Sequence, residues 1–283
     1  MSFDAEQYKR TTRSQWEEYA AGWAAWAPLL ESWLGDATER MLDMAGVTGG
    51  SRVLDVAAGA GGQAIAAARR AGPGGHVLAT DLSPTILDHA AKAAAAAGLG
   101  NFDTRELDGE RLHELDPASF DAAISRVGFI YFPNRDQALR GIHRALAEGG
   151  RFATVTYSTA ATNQFFSIPV SIIRERAELP PPAVGQPGPF SLADPELLES
   201  ELRAAGFGEV EVQVVDAPVR LPSAAECVRF EKESFGALHQ MLGGMAPEDR
   251  EDVWTEIEDA LGQFETPDGF VGPCELVIAG ASR

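Results

Sequence analysis

The sequence predicts an α/β fold built on a mostly parallel sheet, and the prediction rests on residues 52–158. In this stretch, apolar runs of five to eight residues, typical of buried strands, alternate with segments that have helical spacing. Glycine or proline stands at several of the boundaries. Because strands that alternate with helices are joined by right-handed crossovers, the strands lie parallel and helices cover both faces of the sheet.

The elements follow in a regular order along this stretch. The first helix ends at a glycine followed by Pro73, and the second begins after the capping residue Ser83 with Pro84 at its first position. The third helix ends at a pair of glycines. The predicted strands are 52–57, 76–80, 102–107, 120–126 and 151–158, and the predicted helices are 61–72, 84–98 and 135–150.

The alternation stops after residue 158. A proline-rich loop is predicted at 179–190, a capped helix at 194–207 and a strand at 209–217. Residues 222–265 are predicted to be helical and 274–281 to form a last strand. The first forty-five residues are helical in pattern, and Trp16, Tyr19, Trp23 and Trp26 recur at steps of three and four, as on one helix face.

The composition of the chain disfavours several classes of function. The 283 residues carry a net charge of −19, which disfavours a nucleic-acid partner because such a surface repels phosphates. No apolar run approaches the length of a membrane span, and the polar N-terminus does not resemble a signal peptide. The two cysteines lie far apart and form no metal-binding pattern. We therefore expect a cytoplasmic protein without a metal, a membrane or a nucleic acid as partner.

The segment "RVLDVAAGAGGQ", residues 52–63, is the strongest candidate for a ligand-binding loop. Glycines after a strand let the chain turn sharply and let a ligand approach the backbone. Gly59-x-Gly61-x-x-Ala64 fits a loose dinucleotide fingerprint, and Asp81 follows Gly59 by 22 residues at the next strand end. This pattern alone is compatible with a nicotinamide-dependent dehydrogenase or with an ordinary tight connection.

Asp55, an acid within the apolar strand, changes this interpretation. The string Val53-Leu54-Asp55-Val56-Ala57-Ala58-Gly59-Ala60-Gly61 resembles the first motif of class I S-adenosylmethionine-dependent methyltransferases. Ala57 stands where many members have glycine. The resemblance continues in order through "LATDLSP", "RELDGERL", "FDAAISRVGFIYF" and "HRALAEGGRFATVTYS". It is nearest to the group of small-molecule methyltransferases similar to those of ubiquinone and menaquinone biosynthesis.

The resemblance implies a role for each motif in binding S-adenosylmethionine, which leaves as S-adenosylhomocysteine. Asp55 is expected to order the glycine loop, whose carbonyls accept from the ammonium group of the cofactor. Asp81 is expected to bind the ribose hydroxyls, Leu82 to pack on adenine, and Asp108 to hold the adenine amino group. The full expected set is Asp55, Ala57, Gly59, Gly61, Asp81, Leu82, Asp108, Gly109 and Arg126, the last through its backbone.

The resemblance also implies a Rossmann-like sheet of seven strands, in the order 3-2-1-4-5-7-6, with the last strand antiparallel. One domain is expected over 1–283. Its parts are a helical cover at 1–45, a cofactor-binding core at 46–158 completed by 194–217 and 274–281, and a substrate lid from 159–193 and 222–266.

The expected reaction is in-line methyl transfer to an oxygen, nitrogen or carbon of a small, apolar or aromatic molecule. His239 in the lid is the candidate base, although a surface or packed histidine is the alternative interpretation. Tyr131, after the fourth predicted strand, either positions the substrate or only packs. A dehydrogenase, or a cofactor-binding homologue that no longer transfers methyl, remains as an alternative. The acceptor and the oligomeric state are left open.

Overall fold

The computed structural model describes residues 3–183 and 185–283, so one residue of the proline-rich loop lies outside the described part. A seven-stranded sheet forms the centre of the molecule. Its strands are β1 (Arg52–Val56), β2 (His76–Asp81), β3 (Phe102–Glu106), β4 (Phe120–Arg126), β5 (Leu146–Tyr157), β6 (Gly208–Asp216) and β10 (Glu275–Ser282). A separate small sheet contains β7 (Val219–Leu221), β8 (Glu265–Thr266) and β9 (Gly269–Gly272).

Eleven α-helices are found in the two described segments of the chain. Three of them, α3 to α5, cover one face of the large sheet, and α6 and α8 cover the other. They are α1 (Ala5–Glu18), α2 (Ala20–Ala25), α3 (Ala27–Met44), α4 (Gly62–Ala71), α5 (Pro84–Ala96), α6 (Arg135–Ala145), α7 (Gln164–Arg176), α8 (Pro195–Ala204), α9 (Ala224–Ser234), α10 (Gly236–Met241) and α11 (Pro247–Leu261).

The strand order confirms the prediction. The large sheet runs β3-β2-β1-β4-β5-β10-β6, in which β10 is the predicted seventh strand. It is antiparallel to both neighbours, β5 and β6. The order reverses between β1 and β4, and in sheets of this kind the ligand crevice lies beyond the carboxyl ends of the strands at such a point.

The helix signals in the sequence correspond to real caps. The Ser83 hydroxyl accepts from the Ile86 backbone N–H at 3.2 Å, and the Asp194 carboxylate accepts from Glu196 at 2.9 Å. Each satisfies a backbone donor that the first helical turn leaves free. These caps fix where α5 and α8 start and therefore where the loop after β2 and the proline-rich segment before α8 end.

Three features differ from the sequence expectations. The helix predicted at 135–150 ends at Ala145, because the chain becomes extended at Leu146 and residues 146–150 belong to β5. The N-terminal aromatic residues do not share one helix face, because the chain breaks at Tyr19 and Trp26 into three helices. The third of these, α3, packs onto the sheet and buries Met41 and Leu42 completely. The small sheet was not predicted, since its strands have only two to four residues and no clear alternation.

The loops after β1 and β4 approach each other very closely. Ala57 has φ +59°, a left-handed conformation that costs a non-glycine residue about 1–2 kcal/mol. A Cβ on Gly128 would lie 2.4 Å from the Ala57 Cβ and 3.2 Å from its carbonyl oxygen. Glycine at 128 therefore makes room for alanine at 57.

This approach predicts a compensating pair of substitutions. Gly128→Ala should lower the free energy of unfolding by about 1–3 kcal/mol, because the added methyl overpacks the contact. Adding Ala57→Gly should recover part of that loss, since it removes the clashing Cβ and relieves the left-handed alanine. Urea denaturation of the two single variants and the double variant measures the coupling. Gly49→Ala, whose Cβ would meet nothing within 4 Å, is the control; simple additivity would contradict the prediction.

Candidate active site

A cavity of about 910 Å³ opens at the carboxyl ends of β1, β2, β4 and β5. Helices α1 to α3 and the end of α9 cover it. One part is lined by the loops that follow the strands. The other part, called the aromatic chamber below, is lined by aromatic rings: Trp16, Trp23, Trp33, Tyr131, Phe132, Tyr157 and Phe235.

The glycine-rich segment forms the floor of the first part. Ala57, Gly59 and Gly62 line the cavity, and Gly61 caps α4 with φ +88°. A Cβ on Gly61 would lie 2.7 Å from the Cβ of Ala90 in α5. Glycine is therefore required there both by the positive φ and by the lack of space for a side chain. The loop therefore presents backbone rather than side chains to a ligand.

Asp81 ends β2 and lines the cavity, as expected for a ribose-binding acid. Its carboxylate accepts from the Gly59 N–H at 2.9 Å and from the Ser83 N–H at 3.0 Å. Burial raises the pKa of Asp81 above its ordinary value, while backbone N–H donors, including those of Ser83 and Gly59, oppose that rise. Since each oxygen can accept more than one hydrogen bond, acceptor capacity remains for a ligand.

Asp55 lies beneath the glycine loop and is completely buried. Its Oδ1 accepts from the Gln63 side chain at 3.4 Å, but its Oδ2 has no partner among the described residues. Burial raises the pKa of Asp55 to about 7; the Gln63 hydrogen bond and the charge of Arg126 oppose this, and Asp81 adds to it. Gln63 also donates to the Ala58 carbonyl at 3.1 Å, so the acid is tied to the loop through that amide.

Arg126, at the end of β4, contributes its side chain as well as its backbone. Nη1 donates to the Thr38 hydroxyl at 2.8 Å, and Nη2 lies 3.1 Å from where a Cβ on Gly62 would be. Burial lowers its pKa to about 10, opposed by the charges of Asp55 and Tyr157, so it stays protonated at neutral pH. The cation therefore lies beside the first turn of α4, which has no side-chain cap and is itself positive.

The predicted adenine end is arranged differently from the expectation. Gly109 lines the cavity with Leu107, and Leu82 also lines it. The Asp108 carboxylate does not belong to the lining, because it accepts from Lys9 of α1 at 2.8 Å and from the Glu110 N–H at 2.9 Å. Lys9 thus ties the N-terminal helix to the loop after β3.

Tyr131 lies in the wall of the aromatic chamber. Its ring packs edge-on against Trp16, with centroids 5.9 Å apart. Burial raises the pKa of the hydroxyl far above its ordinary value, with a smaller contribution from Tyr8. The hydroxyl is therefore a neutral donor rather than a base.

His239 lies outside the cavity. Its Nε2 is 2.7 Å from the Lys232 carbonyl, and its ring stacks on Tyr19 at 5.0 Å and lies 5.6 Å from Trp254. His239 lies on a helix, α10, as the helical spacing predicted, but that spacing could not show which way the ring faces. A histidine in this position packs α10 against α1 and α11, so the base role expected from the sequence is not carried forward.

Sequence reasoning missed Thr38, Gln63 and Tyr157. Gln63 stands two residues after the last motif glycine, and Tyr157 ends the fifth strand, so their neighbourhood was visible in the sequence. Thr38 lies on α3, far away along the chain, and no local pattern points to it.

Comparison with known proteins identifies the family. Residues 53–150 match the family described as Methyltransferase domain. The chain is 30% identical to nocamycin O-methyltransferase of Saccharothrix syringae over 202 residues, which are 67% of this chain and 70% of that protein. The chain belongs to the S-adenosylmethionine-dependent methyltransferases.

Other relatives match this methyltransferase over a shorter length. It is 32% identical to the ubiquinone/menaquinone biosynthesis C-methyltransferase of Pseudomonas entomophila over 127 residues, 44% of this chain and 49% of that protein. It is 35% identical over 133 residues to an uncharacterized protein of Mycobacterium tuberculosis, with 47% of each chain covered. The chain thus spans about half the length of several curated relatives that it matches.

Solved structures share the fold of the methyltransferase. The YcgJ protein of Bacillus subtilis superposes with a TM-score of 0.58 at 19% identity, covering 88% of this chain and 99% of that one. The [4+2]-cyclase SpnF superposes with a TM-score of 0.57 at 21% identity, covering 95% and 96%. At these identities the likeness concerns the fold alone.

The residues of the cavity fit the family cofactor, S-adenosylmethionine. The cofactor has ribose hydroxyls, a carboxylate and two positive charges, and it lacks phosphate. Asp81 offers acceptor capacity and Arg126 offers a buried cation, and both line the cavity. Each of these suits one polar group of the cofactor.

In the described ranges no helix is both long and apolar enough to cross a membrane. Within the same ranges, the His, Cys, Asp and Glu side chains form no group of three or more that could hold a metal ion.

Asp81 gives the first test of the site. Asp81→Ala should weaken S-adenosylhomocysteine binding by on the order of 2–4 kcal/mol, because it removes the acceptors at the strand end. The affinity of Asp81→Asn for S-adenosylhomocysteine should lie between those of Asp81→Ala and the wild type, since one acceptor oxygen remains. Calorimetric titration measures both, and Asp103→Ala on exposed β3 is the control. Near-normal affinity of Asp81→Ala would exclude this assignment.

Asp55 makes the stability of the ligand-free protein depend on pH. Its pKa is about 7 in the folded protein and near 4 in the unfolded chain, so the folded state binds the proton more tightly between these values. The free energy of unfolding should fall as pH rises through that interval, by on the order of 1 kcal/mol per unit.

Asp55→Asn should remove this part of the slope. Denaturant titrations of the wild type and the variant at several pH values between 4 and 8 measure the difference. Parallel curves for the two proteins would show that Asp55 is not the titrating group.

Proposed function

We propose that this methyltransferase transfers a methyl group to a small apolar or aromatic molecule held in the aromatic chamber. The observation that carries the proposal is the continuity of that chamber with the loops expected to bind the cofactor. Ligand pockets are mostly apolar, with a few placed polar groups, and this cavity has that character.

The rings of the aromatic chamber pack against one another and shape a confined space. Trp16 and Trp23 lie 5.4 Å apart, and Trp23 lies 5.0 Å from Phe235. Tyr157 stacks on Trp33 at 6.5 Å. Aromatic faces attract cations, so this lining suits a positively charged sulfonium as well as a planar acceptor.

The other end of the cavity supports binding of the methionine part. Arg126 and the uncapped first turn of α4 form a positive region for a carboxylate. Asp81 is proposed for the ribose and Leu82 for the adenine ring. A contact of Asp108 with adenine is also proposed, and it requires that carboxylate to share its bond with Lys9.

When bound, S-adenosylmethionine supplies a methyl group on a positively charged sulfur. The chain aligns the acceptor with it and excludes water, which favours a step in which charge disappears. The lining contains no histidine, lysine or cysteine among the described residues. Tyr131 and Tyr157 are therefore proposed to orient the acceptor as neutral hydrogen-bond donors.

The alternatives lead to different ligands. The [4+2]-cyclase SpnF shares the fold, so a protein of this shape can serve a reaction other than methyl transfer. A dehydrogenase would bind a nicotinamide dinucleotide, for which a buried Asp55 is an unusual neighbour. The two free cysteines are buried, which suits a reducing compartment such as the cytoplasm, and the acidic surface disfavours nucleic acid.

A two-stage experiment tests the proposal. Calorimetry should give binding of S-adenosylhomocysteine and none of NAD, because the site offers a carboxylate acceptor at Asp81 for the ribose and a cation at Arg126 for the zwitterionic amino-acid end, which NAD lacks. Incubation with S-adenosylmethionine labelled in the methyl group and a panel of phenols, enols, amines and RNA should then label a small aromatic member. Cofactor binding without any labelled product would support the non-transferring homologue, and labelling of RNA alone would overturn the small-molecule proposal.

A further inference from the structure

Glu231 is a buried carboxyl without a hydrogen-bond partner in the described structure. It lies in the middle of the buried face of α9, is 0% exposed, and neither Oε1 nor Oε2 accepts a hydrogen bond from any described residue. A buried polar group without a partner costs about 1–3 kcal/mol. Such a group calls for an explanation, because most buried polar atoms in folded proteins are paired.

Two further side-chain groups near it are in the same condition. The Nε1 of Trp23 and the hydroxyl of Ser234 are buried and lack a partner in residues 3–183 and 185–283. Trp23 belongs to α2, which packs against α9 so closely that a Cβ on Gly22 would lie 1.7 Å from the Glu233 carbonyl oxygen. Trp23, Glu231 and Ser234 are called the polar lid cluster below.

The polar lid cluster adjoins the aromatic chamber. The indole of Trp23 belongs to both, since it lines the cavity while its Nε1 is buried. The ring centroid of Trp23 lies 6.0 Å from that of Phe230 and 5.0 Å from that of Phe235. Phe230 directly precedes Glu231 in the chain, and Phe235 directly follows Ser234.

The chemistry of the cluster defines what it can bind. Burial raises the pKa of Glu231 well above its ordinary value and so favours the neutral carboxylic acid over the carboxylate. It then offers one O–H donor and a carbonyl acceptor, while the indole offers a donor and the serine both. A hydroxyl group, which donates and accepts, is the complementary partner.

We propose that the polar lid cluster, with Glu231 at its centre, binds a hydroxyl group on the aromatic acceptor and so determines acceptor specificity. The inference rests on the proposed function, since it takes the aromatic chamber as the acceptor site. Glu231 and Ser234 do not line the cavity, whereas Trp23 does, so the acceptor reaches them by displacing the Trp23 ring. The carboxyl is retained for the ligand rather than for the fold, which would be more stable with an apolar side chain there.

The test compares two probes of the same shape, 2-naphthol and naphthalene. Their binding to the full chain saturated with S-adenosylhomocysteine is measured by fluorescence or calorimetry. Wild type should bind 2-naphthol at least tenfold more tightly than naphthalene. Glu231→Leu should lose that preference while it binds naphthalene as well as wild type does, and Glu231→Gln should keep part of it because an amide also donates and accepts.

Glu233→Gln is the matched control, because Glu233 lies two residues away on the exposed side of α9. It should keep the full preference for 2-naphthol. Thermal unfolding is measured in parallel, and Glu231→Leu should melt at the same temperature as wild type or higher.

The outcomes separate the two proposals. Equal affinity of wild type for both probes, or an undiminished preference in Glu231→Leu, would overturn the role of Glu231 and leave the aromatic chamber intact. Failure of both probes to bind wild type would overturn the chamber as an aromatic site and the role of Glu231 with it. A lower melting temperature of Glu231→Leu would show that the carboxyl serves the fold.

Discussion

The hydrogen bond from the Gly59 N–H to Asp81 joins the loops at the carboxyl ends of β1 and β2, and the cofactor site depends on it. The parallel sheet brings these ends to one edge, but it does not fix the loops. With the second bond, from Ser83, the carboxylate holds the glycine turn and the start of α5 in one arrangement. The same group that is proposed to bind the ribose therefore also shapes the floor on which the ligand lies.

Two buried charges of opposite sign lie close to this floor without forming a direct ion pair within 4.0 Å in the described chain. Asp55 is tied to Gln63, and Arg126 to Thr38, so each has a neutral partner. Transfer of a charge from water to the protein interior costs free energy. A ligand that supplies the opposite charge offsets that cost. A zwitterionic amino-acid group carries both charges, which is why this arrangement suits the methionine end of the cofactor better than a phosphate.

Local sequence signals predicted the helix caps and the turn correctly, because these features depend on neighbouring residues. They did not predict the direction of side chains, which depends on distant elements. The caps at Ser83 and Asp194, the sharp glycine turn and the position of Asp81 follow from residues close together in the chain. The strand order joins segments that are remote in sequence, and it was predicted from the family resemblance. Asp108 was placed at the right strand end, but its engagement by Lys9 arises from a helix 99 residues away. For the same reason the orientation of His239 could not be read from helical spacing.

The aromatic chamber shows how the cover and the lid depend on each other. Its rings come from α1, α2 and α3, from the loop after β4, from the end of β5 and from the residue after α9. No one of these segments encloses the space alone, and α2 packs closely on α9 at Gly22, where an added Cβ would lie 1.7 Å from the Glu233 carbonyl oxygen. A side chain at residue 22 would separate these helices, so glycine there sets the distance across the cover. In the proposed function, the acceptor is therefore selected by segments that are remote in sequence, while most residues proposed to bind the cofactor lie between 53 and 126.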